Sequence, residues 1–304
     1  MSCDLLISTD KEAIFMQARA TACVMAGGVL WGLMSLFVNN LNALGFTALD
    51  ICLCRAFLAA AVLLLFLALR GRELLSIRLR DIWMFFGTGM VSLTLFNWCY
   101  FSAIRQSQAS VAVALLYTSP VFVTLLSALL FGERLTARKL AAVALTVAGC
   151  FLVSGITGSA YRLSGQVILT GIASGLFYGL YSIFGRYALA RYQPLTITFY
   201  TFVFASLGSL LFIDAQHLPA LLQSSEAWLW CLGLAVFITI LPYFLYTYGL
   251  EYLETGKAAV LVTVEPLVGG LVGILFYGEP HNLEKILGMA LIFASTILLN
   301  LNEN

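Results

Sequence analysis

Two ionisable side chains, Arg55 and Glu265, stand inside long apolar stretches of this chain. An ionised side chain at the centre of a hydrocarbon layer costs about 2.5–3.5 kcal/mol on insertion scales, so residues of this kind are usually kept for function. A buried guanidinium holds a carboxylate or phosphate through two parallel N–H bonds. A buried carboxylate takes up and releases a proton, or holds an ammonium. Each also has a plainer reading. Arg55 can extend toward water and pair with Asp50, within two turns along the same helix, and Glu265 can be a neutral acid hydrogen-bonded to a neighbouring helix.

Polar aromatics surround these two in the sequence pattern. Trp31, Asn97, Tyr100, Tyr178, Tyr181 and Tyr243 all fall within apolar stretches, with Trp98, Tyr246 and Tyr248 nearby. A tyrosine ring offers a flat apolar face and a hydroxyl, which suits an organic solute, and a cation can rest over it. The same residues also serve as interfacial belts or packing. Pro120, Pro242 and Pro266 remove backbone hydrogen bonds and are expected to kink their helices, turning carbonyls toward a cavity.

Little else could do chemistry. His217 and His281 lie between apolar stretches, and no His-x-x-x-His pair, acidic cluster or glycine-rich phosphate loop occurs. No enzyme activity, cofactor or metal is expected. Seven cysteines, an odd number, sit mostly in apolar runs as small hydrophobes, and Cys52-Leu-Cys54 lacks the spacing of a redox or zinc pair. The formal net charge of +1 argues against a nucleic-acid partner.

The elements that must position these residues are membrane spans. The chain has 304 residues, 61% hydrophobic and 10% charged, against roughly 25% charged in a soluble domain. About 20 mostly apolar residues cross a bilayer as a helix. Ten such stretches are predicted, near 21–38, 48–69, 82–102, 109–131, 138–155, 166–188, 195–213, 227–249, 258–277 and 283–300. With the N-terminus cytoplasmic, twelve Lys and Arg fall on the cytoplasmic side and three (Arg105, Arg162, Lys285) opposite, which satisfies the positive-inside rule. Both termini are then cytoplasmic, in a plasma (inner) membrane.

The stretches repeat. Tyr117-Thr-Ser-Pro120 through Gly132-Glu133 recurs 146 residues later as Thr263-Val-Glu-Pro266 through Gly278-Glu279. Gly28, Trp31-Gly32 and Ser35 recur 147 residues later as Gly175, Tyr178-Gly179 and Ser182. Five spans per copy force the second copy to be inverted, the architecture of a secondary transporter. The loop after span 2 carries four arginines and its counterpart at 214–226 none, as inversion demands. The expected organisation is therefore an all-α integral membrane protein: a lead-in at 1–20, a first five-helix repeat at 21–155 and an inverted one at 166–300. Matched small residues, Ala142 and Gly149 against Gly288 and Ser295, mark one packing stripe on spans 5 and 10, against another helix or a second copy of the chain. Glu133 and Glu279, closing spans 4 and 9, read as interfacial anchors or partners of Arg134 or Arg138.

Trp31-Gly32, Arg55, Pro120, Glu265-Pro266 and the paired Gly132-Glu133 and Gly278-Glu279 resemble the EamA-type branch of the drug/metabolite transporter superfamily over residues 20–300. The resemblance implies a bundle with a central cavity lined by both halves. It also implies a small-molecule substrate (an amino acid, nucleotide-related compound or cationic metabolite), often exported. The second half lacks the span-2 arginine, and Pro242 has no partner in span 3, where Phe96 aligns, so the halves are not chemically equivalent. The functional expectation is alternating access, with proton coupling through Glu265 or simple facilitated diffusion; a channel and a membrane-embedded enzyme or scaffold are the competing classes.

Overall fold

The computed structural model describes residues 2–107, 109–155, 164–212, 218–279 and 282–300, with residues 2–11, 13 and 14 described by backbone alone. His217, His281 and Arg162 lie outside the described residues, as do the side chains of Cys3, Asp4, Asp10 and Lys11. Among the described residues every regular element is helical. Eight helices are long and apolar enough to cross a membrane: α1 Phe15–Ala43, α2 Ala48–Arg70, α3 Leu79–Gln106, α4 Ala109–Phe131, α6 Gly165–Leu189, α8 Ser225–Tyr252, α9 Thr255–Tyr277 and α10 Leu283–Asn300. Backbone helix runs unbroken from Ser2 into α1, so the lead-in is not a separate element.

Two further helices occupy the stretches expected at 138–155 and 195–213 but are shorter. The first, α5, is Ala137–Val153, 17 residues; the second, α7, is Pro194–Ser209, 16 residues. At 1.5 Å per residue they reach roughly 26 and 24 Å, short of a hydrocarbon core of about 30 Å. Local sequence sets these limits. Gly155 follows α5 at φ +71°, a left-handed stop, and Pro194 fixes the first turn of α7 after Gln193.

The Gly-Glu pairs close α4 and α9 by the same device. Gly132 and Gly278 adopt φ 70° and 64°. The following N–H groups fold back: Glu133 donates to the Ser127 carbonyl and Glu279 to the Gly273 carbonyl. Only glycine reaches this left-handed turn cheaply, and the turn leaves a carboxylate beside each helix end.

α4 and α9 each break just before a proline. α4 is interrupted at Tyr117-Thr118 just before Pro120, and α9 at Val262-Thr263 just before Pro266. Each proline withholds the N–H that would have bonded the carbonyl four residues earlier, Leu116 and Val262. Glycines of the repeat-matched helices lie against those carbonyls. A Cβ on Gly175 would sit 2.9 Å from the Leu116 oxygen, and one on Gly28 would sit 2.6 Å from the Val262 oxygen. In α8, Pro242 follows a π-helical stretch, Val236–Ile240. α3 carries its own π stretch, Gly87–Thr94, without any proline. Here the structure adds to the sequence reading: α3 is distorted at the corresponding level by other means. Thr94 Oγ1 and Thr239 Oγ1 each bond the carbonyl five residues back, at 3.2 and 2.9 Å.

The small-residue stripes of α5 and α10 face each other within one chain. A Cβ on Gly149 would lie 2.7 Å from the Gly288 oxygen and one on Gly288 2.6 Å from the Gly149 oxygen. Thr146 Oγ1 donates to Ser295 Oγ at 2.8 Å across the same seam. The stripe is thus spent on an intramolecular crossing, so it gives no support to a second copy of the chain. Gly288→Val should destabilise the folded protein by about 1–3 kcal/mol or more, since it overpacks a backbone-to-backbone contact. A thermal-unfolding comparison in detergent, with an exposed control such as Leu287→Val, reads that loss.

Candidate functional site

Aromatic residues from three helices meet in the middle of the bundle. Trp31 of α1 packs edge-on against Tyr243 of α8, ring centroids 4.8 Å apart. Tyr181 of α6 packs on Tyr243 at 5.1 Å. Tyr246, one turn along α8, lies 5.8 Å from Trp31. Their hydroxyls are fixed: Tyr181 Oη shares a hydrogen bond with Thr247 Oγ1 at 2.6 Å, and Tyr246 Oη with Ser182 Oγ at 2.7 Å. These rings, with Tyr178 and Ser119, line one small, partly open cavity.

Glu265 stands at this cavity's edge. It falls one residue before Pro266, in the first turn after the break of α9, so the interrupted helix sets its level. Tyr178 Oη donates to Glu265 Oε2 at 3.2 Å, and Tyr117 of α4 lies close to the same carboxyl group. Tyr178 is wedged against Phe96, centroids 5.3 Å apart, and Phe96 against Tyr100 at 5.7 Å. Tyr100 thereby belongs to the same group, within electrostatic reach of Glu265.

Arg55 comes from α2, whose start is fixed by a capping box. Asp50 Oδ2 accepts the Thr47 N–H at 2.8 Å and its hydroxyl at 2.7 Å. Its guanidinium is buried, only 9% exposed. Nη1 lies 3.9 Å from Met34 Sδ, and the charge acts on both Glu265 and Tyr243. Burial argues against the reading in which Arg55 extends to water.

Seven of the eight residues expected to contact substrate therefore come near one another: Trp31, Tyr100, Tyr178, Tyr181, Tyr243 and Glu265, with Arg55 within electrostatic reach of Glu265 and Tyr243. Asn97 is half-buried on α3 but makes no hydrogen bond among the described residues. Trp98 lies 45% exposed beside Phe212, and Tyr248 stacks under Arg19, whose guanidinium is 5.4 Å from the ring centroid; neither joins the group. Tyr117, Ser119 and Ser182 join the group without having been expected as substrate contacts, and Tyr246, noted among the nearby aromatics, joins it too. The repeat held a signal for two of them: Ser119 occupies the register of Glu265, and Ser182 that of Ser35. No group of residues with metal-ligand potential exists among the described residues.

The glutamates that close α4 and α9 have unequal surroundings. Glu133 is not at water's edge; its side chain is 8% exposed. Oε1 accepts the Thr255 N–H at 2.5 Å, and Oε2 accepts the Gly256 N–H at 3.1 Å, Ser127 Oγ at 3.0 Å and Lys139 Nζ at 3.3 Å. Burial pushes this carboxyl up, but the two N–H donors at the start of α9 and the Lys139 ammonium outweigh it and hold it below the usual carboxylate range. The interfacial-anchor expectation is corrected here: the donors at a helix start and a buried ammonium draw Glu133 inward. Glu279 is 53% exposed and pairs with Lys285 at 2.6 Å.

Among the described residues, an all-helical bundle of long apolar helices with an aromatic-lined cavity at its centre defines a membrane protein. The model of the EamA-like transporter family matches residues 19–155 and again 165–301, so the chain belongs to this family of membrane transporters. An uncharacterized transporter of Archaeoglobus fulgidus is 34% identical over 283 residues, spanning 91% of this chain and 94% of that protein. An uncharacterized inner membrane transporter of Salmonella typhimurium, YicL, is 25% identical over 286 residues, 92% of this chain and 94% of that one. The threonine/homoserine exporter RhtA of Escherichia coli is 29% identical over 214 residues, 68% of each chain. A solved crystal structure shares the fold with a TM-score of 0.78 at 19% identity, covering 92% of this chain and 96% of the other.

Proposed function

We propose that this chain is a secondary transporter that exports small amino-acid-like zwitterions by alternating access. In this reading its ten helices form two inverted five-helix halves, 21–155 and 166–300, with both termini cytoplasmic. The observation that carries the substrate class is one buried cation and one carboxylate next to the same aromatic wall: Glu265 hydrogen-bonded to Tyr178, which lines the cavity, and Arg55 within electrostatic reach of Glu265 and of Tyr243, which also lines it. A substrate carboxylate would pair with Arg55. Its ammonium would take Glu265 and the face of a ring. The likeness to a threonine/homoserine exporter supports the same class.

The unequal halves fit this reading. Ser119 in the first copy holds the register of Glu265 in the second, and Trp31 that of Tyr178. The first copy supplies Trp31 and Arg55, the second Tyr181, Tyr243, Glu265 and the Tyr178 hydroxyl, so a solute with two unlike ends fits one way round. Glu265 is also the proposed site of proton coupling, because it is the carboxylate that substrate and proton would compete for.

Purified protein in proteoliposomes tests this against amino acids, nucleosides, quaternary amines and sugars, each with and without an imposed pH gradient. Saturable movement of one or more amino acids is expected. Movement of sugars or nucleosides alone would exclude the zwitterion class, and conductance in planar bilayers far above carrier turnover would replace the carrier by a channel.

A further inference from the structure

The two Gly-Glu pairs are embedded in a longer repeat. Thr124, Ser127, Glu133 and Lys139 recur 146 residues later as Gly270, Gly273, Glu279 and Lys285. In the first copy the set is engaged. Glu133, at the end of α4, binds the N–H groups of Thr255 and Gly256 that open α9. Lys139, 4% exposed, bridges Glu133 and Glu254. Behind this contact the first turns of α9 pack on the second half of α4: a Cβ on Gly256 would touch Thr124 Oγ1 at 3.3 Å, and Val123 and Ala259 share a buried cluster.

In the second copy the corresponding partner is missing. The register of Thr255-Gly256 falls on Ala109-Ser110, which open α4. Ala109 is exposed and Ser110 half-buried, and the start of α4 does not pack on the second half of α9 as its counterpart does. Glu279 instead folds back over its own loop: a Cβ on Gly273 would collide with its Oε2. Ser127, which bonds Glu133, stands at that register in the first copy, so Gly273 leaves room for a carboxylate parked against the helix. Lys285 already holds Glu279 at 2.6 Å, as Lys139 holds Glu133.

We infer that Glu133 and Glu279 are two alternately engaged latches: the Glu133 latch is closed here on the start of α9, and Glu279 closes on the Ala109-Ser110 start of α4 when the opposite mouth of the cavity shuts. The physical cause is the same at both ends. A helix start presents unsatisfied N–H groups and a partial positive charge, and a carboxylate that reaches it across the bundle ties α4 to α9. Both latches engaged would seal the cavity at both ends. Only one is engaged in this conformation, which is the difference an alternating carrier needs. The inference rests on the alternating-access reading above but names the groups that switch it.

Single-cysteine reporters in a background with the native cysteines replaced test it on the purified full-length chain, without any solute. Thr124→Cys, 2% exposed as threonine, reports the Glu133 end, and Ser110→Cys the other. Water-soluble maleimide should label Ser110→Cys quickly and Thr124→Cys slowly. Glu133→Gln should speed Thr124→Cys about tenfold, the shift expected on weakening charge-assisted hydrogen bonds, and slow Ser110→Cys at the same time. Adding Glu279→Gln to Glu133→Gln should restore fast Ser110→Cys labelling. A gain at Thr124→Cys with no loss at Ser110→Cys means local loosening and overturns the latch pair. So does a second substitution that restores nothing. Reporters that exchange reciprocally with added amino acid while ignoring both glutamates overturn the latches but leave the carrier standing; reporters fixed under every condition overturn both.

Discussion

Proteoliposomes containing the Glu265→Gln variant should exchange labelled for unlabelled solute but no longer accumulate it against an imposed pH gradient. The glutamine side chain keeps the shape of the acid and an oxygen for the Tyr178 hydroxyl, which lies 3.2 Å from Glu265 Oε2, so the aromatic cavity should survive and solute, held more weakly without the carboxylate, should still exchange at saturating concentration. What the amide lacks is a proton that can come and go. In a coupled antiporter the empty carrier crosses only with the acid protonated, and solute binding displaces that proton. With the proton step gone, uphill flux should fall to background while solute-for-solute exchange persists. Comparing accumulation and exchange in the same vesicles separates this from misfolding, which removes both. Uphill transport at wild-type rate in Glu265→Gln would move the coupling elsewhere. Equal net flux of wild type at every imposed gradient would remove coupling altogether.

The parts of this molecule that were legible in the sequence were those set by composition and spacing. Membrane helices must be apolar along their whole length, and prolines and left-handed glycines act on their own backbone. Kinks at Pro120 and Pro266 and helix ends at the Gly-Glu pairs could therefore be read from the residues, while the left-handed turns at Gly132 and Gly278 came with the structure. Side-chain identity does not encode which way a helix is rotated. Trp98 and Tyr100 are two residues apart on α3, so one faces outward near Phe212 while the other joins the Phe96–Tyr178 stack. Nothing in either residue type distinguishes them. Glu133 was misjudged for a related reason. Its neighbours in sequence are Arg134 and Arg138, yet its partners are Lys139 and two backbone N–H groups more than a hundred residues away. Backbone donors have no sequence signature at all. The π stretch in α3 was equally hidden, because no proline announces it. The i−5 threonine bond at Thr94 that accompanies it looks like any threonine in a helix.

Arg55→Ala should separate the two ends of the proposed substrate. If Arg55 pairs with the solute carboxylate, alanine removes charge-assisted hydrogen bonds worth about 1.5–3 kcal/mol each, and affinity for an amino acid should fall about 10- to 100-fold. The corresponding amine, which has lost only its carboxylate, never used the guanidinium and should compete as well against the variant as against wild type, or better, since a buried positive charge no longer repels it. The converse holds at the other end: Glu265→Gln should weaken the amine as much as the amino acid. A structural role for Arg55 predicts something different. Its guanidinium is 9% exposed and touches Met34 on the neighbouring helix, so removing it could open a void between α1 and α2. That damage would lower thermal stability and weaken every ligand together. The ratio of amine to amino-acid affinity, measured by competition in wild type, Arg55→Ala and Arg55→Lys, tells these apart. Lysine keeps the charge but not the two-pronged geometry, so it should recover part of the carboxylate preference. A ratio unchanged in all three proteins would detach Arg55 from the substrate, and with it the case for a zwitterion over a simple cation.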